Sequence, residues 1–454
     1  MEEEFILSQP NKAYRQLAMP LVFFAIFSAF YNFIDIFWAS LVGSDSLVAI
    51  GISAPIFLVI YYLGKNIGQG TNAVMSRFQG AYNLEQTRNT LLHGILICIG
   101  ISLIIPVFLF FSLNGLLAFM NIPSTIIILI DSYLFPISLF AFVFVFALFF
   151  SETIISEGDS KRPTIFLIIG NIVNLILDPI LSITLGLGIT GLAYASIIGS
   201  LIPFFQLIHV YYKNTKIKIV WDDFKFDYEI ILEIFKVALP NMVDTFMFSV
   251  LGIAMNTILI FSIGPIGVSM YVLFDTLREL VTSPTRGGAR GLLTIVGHLY
   301  GAKDMSNVKS LFKYSFKYEY VMNIISIIIF VVIFIIMLFF FKNILTYLIS
   351  DFTNSQLFKM ILLLIIACTI IPICYICSHI LNGLGKSIYS LLNSILNIIL
   401  MIGFSYLLTN YLHLGVYGVL IGIIIGEIIV VILYILTTQK IIKNIENKYM
   451  NSGM

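Results

Sequence analysis

The stretch Gly70-Thr-Asn-Ala-Val-Met-Ser-Arg-Phe-Gln-Gly-Ala81 recurs later in the chain. It aligns without gaps with Gly291-Leu-Leu-Thr-Ile-Val-Gly-His-Leu-Tyr-Gly-Ala302. A second match sets Leu187-Gly-Ile-Thr-Gly191 against Leu414-Gly-Val-Tyr-Gly418. Weak internal matches at a long, similar spacing are typical of membrane proteins built from two related repeats. The chain is therefore expected to consist of two halves of the same fold.

The composition indicates a membrane protein. Of the 454 residues, 59% are hydrophobic and 11% charged, whereas soluble domains are about half apolar and about a quarter charged. Because a membrane-spanning helix takes roughly 20 mainly apolar residues, the apolar content suffices for about 12 spans. The net charge of +1 argues against nucleic-acid binding, which needs a basic surplus. The acidic start, Met1 to Glu4, argues against a secretory signal.

Polar and Gly/Pro breaks divide the chain into twelve apolar segments, so the expected fold class is an all-α polytopic membrane protein with twelve transmembrane helices. The segments lie near 13–39, 47–76, 90–113, 124–156, 162–185, 188–212, 229–262, 267–297, 308–341, 353–383, 386–412 and 414–439. A polar linker over 213–228 separates an N-terminal lobe, 1–212, from a C-terminal lobe, 229–454. Since each lobe has an even number of spans, the copies enter the membrane in the same direction, which predicts a pseudo-twofold axis along the membrane normal.

Basic residues predict the orientation, because Lys and Arg are retained in the cytoplasm. The protein is expected in the plasma membrane with both termini in the cytoplasm. In this orientation the cytoplasmic side carries most of the basic residues: Lys12, Arg15, Arg77, Arg88, Lys161, Arg162, Lys213, Lys216, Lys218, Lys225, Lys303, Lys309, Lys313, Lys386, Lys440, Lys443 and Lys448. The opposite loops carry almost none, with Lys342 the clear exception.

The cysteines predict no cofactor. Cys98, Cys368, Cys374 and Cys377 all lie in apolar runs, where a thiol is usually a small buried hydrophobe. Cys374 and Cys377 with His379 have a spacing that zinc uses, but no fourth ligand lies near them in the sequence.

The first span contains an acidic residue, Asp35. Asn32 and Ser28 lie three and seven positions before it, so all three project from one helical face. An ionisable residue at membrane depth is a functional hypothesis by default, because burying its charge in the bilayer is costly.

The fifth span contains a second acid, Asp178, with Asn174 and Asn171 at i−4 and i−7 on the same face. Pro179 cannot donate a backbone hydrogen bond, so we expect a kink and a free carbonyl close to the carboxylate. Such clusters of hard oxygens suit Na⁺, and a buried carboxyl group suits a proton equally. The structural alternative is that both acids are satisfied by neighbouring polar side chains and hold helices together.

The pattern of these motifs resembles the multidrug and toxic compound extrusion (MATE) family over essentially the full chain. The residues that carry the resemblance are Pro20, Asn32-Phe-Ile-Asp35, Leu41-Val-Gly43, Ala54-Pro55, Gly80-Ala81, Glu157-Gly-Asp-Ser-Lys-Arg-Pro163, Asn171-Ile-Val-Asn-Leu-Ile-Leu-Asp-Pro179 and Gly191-Leu-Ala-Tyr-Ala-Ser196.

The resemblance implies a twelve-helix secondary antiporter, not an enzyme, that is driven by H⁺ or Na⁺ and exports amphipathic, often cationic, compounds. It implies that the cation binds in the N-terminal lobe at Asp35, Asn174 and Asp178, with Na⁺ as one candidate ion. Ser196, where the family more usually has Thr, completes that group. In the C-terminal lobe, the seventh span has only Asp244 and the tenth span has no acid. In the second repeat, Asn256 takes the position of Asp35. Coupling to the cation is therefore expected in the N-terminal lobe.

A set of aromatic and polar residues is predicted to line a substrate chamber, because aromatic and Met side chains repack around ligands of different shape. The set comprises Tyr31, Phe30, Phe57, Tyr61, Met255, Tyr271 and Asn256. The expected partners are small amphipathic molecules and the lipid bilayer, with the protein as a monomer.

Several charges leave alternatives open. Arg278, Arg286 and Arg290 form a stripe that either pairs with nearby acids or faces a cavity for anionic groups. If the stripe faces a cavity, the protein could instead be a flippase for lipid-linked saccharides. The sequence has no selectivity-filter loop that would favour a channel and no catalytic motif that would favour an enzyme. Asp131 and Glu427 are as readily structural as functional. The preferred reading is a cation-coupled exporter that works by alternating access.

Overall fold

The computed structural model describes residues 3–119, 122–222, 224–340 and 354–451. All regular elements in these ranges are helical, which confirms the predicted all-α fold class. They are α1 (Glu3–Ser8), α2 (Pro10–Val42), α3 (Ser44–Gly80), α4 (Leu84–Phe119), α5 (Ser124–Leu139), α6 (Ala141–Ser156), α7 (Lys161–Pro179), a π-helical turn (Ile180–Thr184), α8 (Gly188–Lys213), α9 (Tyr228–Ser262), α10 (Pro265–Gly301), α11 (Met305–Phe340), α12 (Asn354–Gly383), α13 (Ser387–Asn410) and α14 (Val416–Asn451).

The twelve predicted segments each correspond to one long helix or bent helix pair in the described ranges. Ten of these are long and apolar enough to cross a membrane, and the bent pair α5 and α6 makes up to eleven. The remaining one, α10, is too polar by the same measure because it carries the charges from Asp275 to Arg290. Positions 341 and 353, at two predicted segment ends, lie outside the described residues.

Several helices extend beyond their apolar runs. α14 continues to Asn451, whereas the apolar segment ends near 439, and α4 begins at Leu84 rather than near 90. The backbone hydrogen bonds of a helix do not depend on apolar side chains, so a helix that leaves the bilayer continues until a breaking residue.

The fourth predicted span is not straight. α5 and α6 are inclined to each other by 53° at a break near Phe140. Pro136 lies four residues before the break and lacks the N–H that would bond to the carbonyl of Ser132, which weakens α5 close to the bend.

The contacts between residues divide the chain into two compact units. Unit 1 comprises Met1–Met242 with Gly297–Ala302, and unit 2 comprises Val243–Val296 with Lys303–Met454. A large apolar core of unit 1 includes Phe144, Phe149 and Tyr211, which are almost fully buried. These units divide the chain at other positions than 213–228, and the predicted division into lobes stays a prediction.

The glycines of the first repeat permit a close backbone approach inside unit 1. A Cβ atom built on Gly80 would lie 1.9 Å from the carbonyl oxygen of His298, and one on Gly301 would lie 1.9 Å from the carbonyl oxygen of Arg77. These are corresponding positions of the two copies, so the contact is reciprocal. Any side chain here would force the backbones apart, which explains why both copies have glycine.

The glycines of the second repeat match also permit a close backbone approach. A Cβ atom on Gly191 would lie 2.7 Å from the carbonyl carbon of Leu181, and one on Gly418 would lie 2.8 Å from that of Leu408. Each glycine allows the first turn of its helix to pack against the end of the preceding helix. The second match thus marks a backbone contact that each copy repeats, whereas the first match marks one contact that the two copies share.

The linker between α8 and α9 is fixed to unit 1 by hydrogen bonds from its backbone. The N–H of Asp227 donates to Nε2 of His93 at 2.8 Å, and Nδ1 of His93 lies 2.8 Å from the carbonyl oxygen of Asn89. The rings of Phe224 and Phe226 lie 5.0 and 5.6 Å from the His93 ring. His93 therefore joins the linker to α4 through a hydrogen bond and two ring contacts.

Candidate functional site

The candidate site is built where α7 and α8 cross closely. A Cβ atom on Gly170 would lie 2.4 Å from the carbonyl oxygen of Gly199, and one on Gly199 would lie 2.8 Å from Cβ of Asn174. The two glycines thus allow the backbones to touch. This approach brings the polar face of α7 against Ser196 on α8.

Asn174 lies at the centre of a polar network that joins three helices. Its Oδ1 accepts a hydrogen bond from the hydroxyl of Tyr31 on α2 at 2.7 Å. Its Nδ2 donates to Oγ of Ser196 at 3.3 Å and to Oδ1 of Asp178 at 3.4 Å. Asn174 is 2% exposed, so these contacts replace water for a buried amide. The geometry brings together three of the predicted cation-site residues.

The carboxyl groups of Asp35 and Asp178 are neighbours within hydrogen-bonding contact. Asp178 is fully buried, and among the described residues no N–H or O–H group donates to its Oδ2. Two carboxylates at this separation repel each other unless a proton or a cation lies between them. The pair is therefore suited to binding one positive charge.

The backbone next to Asp178 is irregular. α7 ends at Pro179, and the chain continues as the π-helical turn Ile180–Thr184. Oγ of Ser182 donates to the backbone carbonyl of Asp178 at 2.5 Å. π-Helical turns are rare, and they are frequent at functional sites.

Two further predictions concern this site, and one residue was not predicted. Asn171 is half-buried on the same face of α7. The side chain of Asn32 lies outside the described residues. Tyr133 of α5, which the sequence did not single out, is an electrostatic neighbour of Asp35 and Asp178. No spacing pattern signals Tyr133, because its contact with the aspartates is tertiary.

Aromatic side chains predicted for the substrate chamber lie near the site in unit 1. The rings of Phe57 and Tyr61 lie 6.3 Å apart, and Phe57 meets the ring of Phe144 edge-on at 5.3 Å. Tyr31 and Tyr61 are electrostatic neighbours, whereas Phe30 is 52% exposed. Their contact with substrate stays a prediction.

The residues predicted for the same chamber in unit 2 are less accessible. Met255 is 0% and Tyr271 4% exposed, and both belong to the apolar core of that unit. Asn256 is half-buried, and among the described residues its Oδ1 receives no hydrogen bond. In this conformation Met255 and Tyr271 pack as core residues, so their substrate role also stays a prediction.

The basic stripe of α10 is paired with acids in unit 2. Arg278 contacts Asp275 at 2.7 Å and Glu427 of α14 at 2.9 Å. Arg286 contacts Glu279 at 2.9 Å. These ion pairs match the structural alternative for Arg278 and Arg286.

The described residues contain no group of three or more His, Cys, Asp or Glu side chains that would hold a metal ion. His379 instead places its Nδ1 2.9 Å from the backbone carbonyl of Tyr375. Asp244 of α9 accepts a hydrogen bond from Ser394 within unit 2.

Glu157, in the motif at the turn between α6 and α7, holds the start of the linker. Its Oε2 accepts a hydrogen bond from the backbone N–H of Lys216 at 2.9 Å. Burial raises the pKa of Glu157 from 4.5 to about 7, against the opposing effect of the N–H groups of Lys216 and Ile217. Glu157 therefore titrates near neutral pH at the end of the bent pair, outside the spans.

This raised pKa makes stability depend on pH in a defined direction. Between pH 4.5 and about 7 the folded protein binds a proton that the unfolded chain does not, so stability rises as the pH falls through this window. We expect Glu157→Gln to flatten that part of the dependence of Tm on pH. Glu85→Gln is the matched control, because it removes an exposed carboxylate that does not contact Glu157. Equal slopes for wild type and Glu157→Gln between pH 5 and 8 would contradict the assignment.

Known proteins resemble this chain in both sequence and fold. The MatE family model matches residues 20–180 and 240–407. The chain is 24% identical over 285 residues to the probable multidrug resistance protein YoeA of Bacillus subtilis, and the match spans 60% of each chain, less than two thirds of that relative. It is 22% identical over 312 residues to the multidrug export protein MepA of Staphylococcus saprophyticus, with 68% of each chain covered.

Solved structures share the fold over nearly the whole chain. A structure of MATE in the straight conformation is 25% identical, with a TM-score of 0.91 over 98% of this chain and 99% of that one. The outward-facing structure of a multidrug resistance MATE family transporter of the MOP superfamily is 24% identical, with a TM-score of 0.90 and 98% of each chain covered. Because the family model matches well over half of the sequence, the chain belongs to the MatE family, the multidrug and toxic compound extrusion transporters of membranes.

Proposed function

We propose that this chain exports amphipathic, often cationic, organic compounds in exchange for a cation that binds between Asp35 and Asp178. The contact between these two carboxyl groups carries the proposal, because a buried oxygen without a donor needs a positive charge. The relatives named multidrug resistance and multidrug export proteins support small organic molecules as cargo. The protein is expected to act as a monomer, with both termini in the cytoplasm.

The direct contact of the carboxyl groups favours H⁺ over Na⁺. A shared proton fits between two carboxyl oxygens in hydrogen-bonding contact, whereas Na⁺ needs several oxygens at longer distances around it. Asn174 keeps its Oδ1 turned to the Tyr31 hydroxyl, so this oxygen is engaged in the described conformation. Na⁺ binding at Asp35, Asn174 and Asp178 would require these hydrogen bonds to rearrange.

Exchange requires that cation and cargo stabilise different conformations, since a ligand with equal affinity for both shifts nothing. In the proposed alternating-access cycle, cargo enters from the cytoplasm and a proton reaches Asp35 and Asp178 from the opposite side. Protonation removes the repulsion between the two carboxylates and so favours the state that releases cargo. Deprotonation toward the cytoplasm then resets the protein.

The experiment that tests the proposal imposes one gradient at a time. Purified protein in vesicles is given ethidium under a pH gradient or a Na⁺ gradient of equal size. We expect ethidium transport with the pH gradient and none above protein-free vesicles with the Na⁺ gradient. Transport with Na⁺ alone would overturn the assignment of the ion, and transport with neither would overturn coupled export of organic cations.

The basic stripe of α10, which motivated the flippase alternative, is engaged in ion pairs. A cationic surface for anionic lipid-linked saccharides would need guanidinium groups that face a cavity, but Arg278 and Arg286 are engaged by Glu427 and Glu279. Ion pairs of this kind leave no excess positive charge on that part of α10. Export of organic cations is therefore the single function proposed.

A further inference from the structure

A groove of about 510 Å³ lies between α4 and α5, away from the Asp35 and Asp178 pair. It is lined by apolar and aromatic side chains together with one carboxylate; the lining residues that matter here are Pro106, Phe110, Phe111, Asp131 and Phe135. Its volume is in the range of sites for drug-sized molecules.

Asp131 is the charged residue in this lining. Its side chain is partly exposed in the groove, and within the described part of the chain it makes no hydrogen bond or ion pair. A carboxylate surrounded by apolar side chains on a membrane helix is unfavourable unless a positive partner or water satisfies it. Packing between α4 and α5 does not need a charge, so the groove has a feature that its structural role leaves unexplained.

The walls of the groove suit an aromatic or alkyl cation. Phe110, Phe111 and Phe135 are 70%, 78% and 62% exposed. The rings of Phe110 and Phe111 meet edge-on, with their centroids 5.2 Å apart. Exposed phenyl faces attract cations as well as apolar groups, and the attraction grows where water is excluded.

The position of the groove along the helices suits an amphipathic ligand. α5 begins at Ser124, and Asp131 lies seven residues, or about 10 Å, further along the helix. Phe110 and Phe111 lie within the last turns of α4, which ends just before α5 begins. Asp131 is the lining residue of α5 nearest to the start of that helix, so the charge lies at the end of the groove toward the membrane face where α4 ends, and the apolar lining continues deeper.

We propose that this groove is a second binding site for amphipathic organic cations, with the positive group against Asp131 and the apolar body among Phe110, Phe111 and Phe135. The inference rests on the proposed export of such compounds and deepens it. In the predicted topology the Asp131 end of the groove lies toward the side to which cargo is released. Cargo that leaves the exporter thus has a lipid-facing site on unit 1 before it enters the surrounding membrane or water.

Lipid acyl chains cover every apolar surface of a membrane protein, but they cannot neutralise a carboxylate. The charge of Asp131 therefore favours a cationic amphiphile over an uncharged acyl chain. A phospholipid with an ammonium head group is the competing occupant, and the experiment distinguishes it from an organic cation.

The test uses a fluorescent reporter in the groove. Phe111→Trp protein in uncharged maltoside micelles is titrated with a quaternary-ammonium nitroxide quencher and, separately, with the uncharged hydroxyl nitroxide of the same ring. The signal of the protein without the Phe111→Trp change is subtracted. We expect saturable quenching by the cation at lower concentration than by the neutral quencher, and Asp131→Asn to raise the half-quenching concentration of the cation by about fivefold or more. Glu85→Gln, which removes an exposed acid elsewhere in unit 1, is the control and should change nothing.

Three outcomes would overturn the inference: equal quenching by both nitroxides, an unchanged midpoint in Asp131→Asn, or loss of the cation's advantage once phosphatidylethanolamine is added. The last would assign the groove to a lipid head group. Phe135→Trp supplies a second reporter if Phe111→Trp does not fold. Because quenching needs no ion gradient, it should persist in Asp178→Asn, so failure of antiport and failure of this site give different results.

Discussion

Gradient-driven ethidium transport in vesicles is expected to fall to the level of protein-free vesicles in Asp178→Asn. The amide keeps the size of the side chain and its contact with Asn174, but it can neither release nor bind the proton. Asp35→Asn should have the same effect, because either substitution removes the repulsion that makes a shared proton necessary. Ser196→Ala, which removes one hydrogen bond to Asn174, should retain part of the transport.

A binding measurement separates loss of coupling from loss of folding. Asp178→Asn should still bind ethidium, and should still exchange labelled for unlabelled ethidium without a gradient, because exchange does not require a net proton step. Gradient-driven transport that survives in Asp178→Asn would remove this residue from the coupling site. Loss of both binding and exchange would instead indicate a structural role for Asp178.

Arg278→Met is expected to destabilise the protein by about 3–5 kcal/mol, because it leaves Glu427 charged and without its partner in the core of unit 2. The side chains of Arg278 and Glu427 are 12% and 4% exposed, so water cannot replace the lost ion pair. The measurement is the unfolding free energy in detergent from denaturant titration. The double variant Arg278→Met with Glu427→Gln should recover most of the loss, since it buries no unpaired charge.

Arg286→Met provides the matched control. Arg286 and Glu279 form an ion pair whose side chains are 40% and 55% exposed, and exposed pairs contribute about 0–1 kcal/mol. Its effect should therefore be much smaller than that of Arg278→Met. Equal losses in the two variants, or a double variant no more stable than Arg278→Met, would contradict a buried ion pair as the source of the effect.

Much of the fold followed from patterns along the chain. Runs of about 20 apolar residues predict spans because only helices satisfy the backbone inside a bilayer. The repeat glycines were also visible, and the structure gives their reason at Gly80 and Gly301, where a side chain would clash with a carbonyl group. The polar and Gly/Pro breaks around the charged helix α10 predict it as a span, although its charged residues make it too polar to count as one by composition alone.

Part of the candidate site was also readable from the sequence. Asn174 and Asp178 lie four residues apart on α7, and the helical period alone places them on one face. Asp35 was singled out because a charge in an apolar segment is unfavourable without a function. These arguments use only neighbours within one helix and the physics of the bilayer.

Local patterns along the chain suffice to predict which segments form helices, which faces are polar and which residues carry charge into the membrane. The faces that meet are visible only in the packed structure: Tyr31 contacts Asn174 across 143 positions, and Arg278 contacts Glu427 across 149. The same holds for Tyr133 beside the aspartates and for Asp131 facing the groove. The physical reason is that helical periodicity fixes neighbours three and four residues away, whereas contacts between helices depend on how whole surfaces pack.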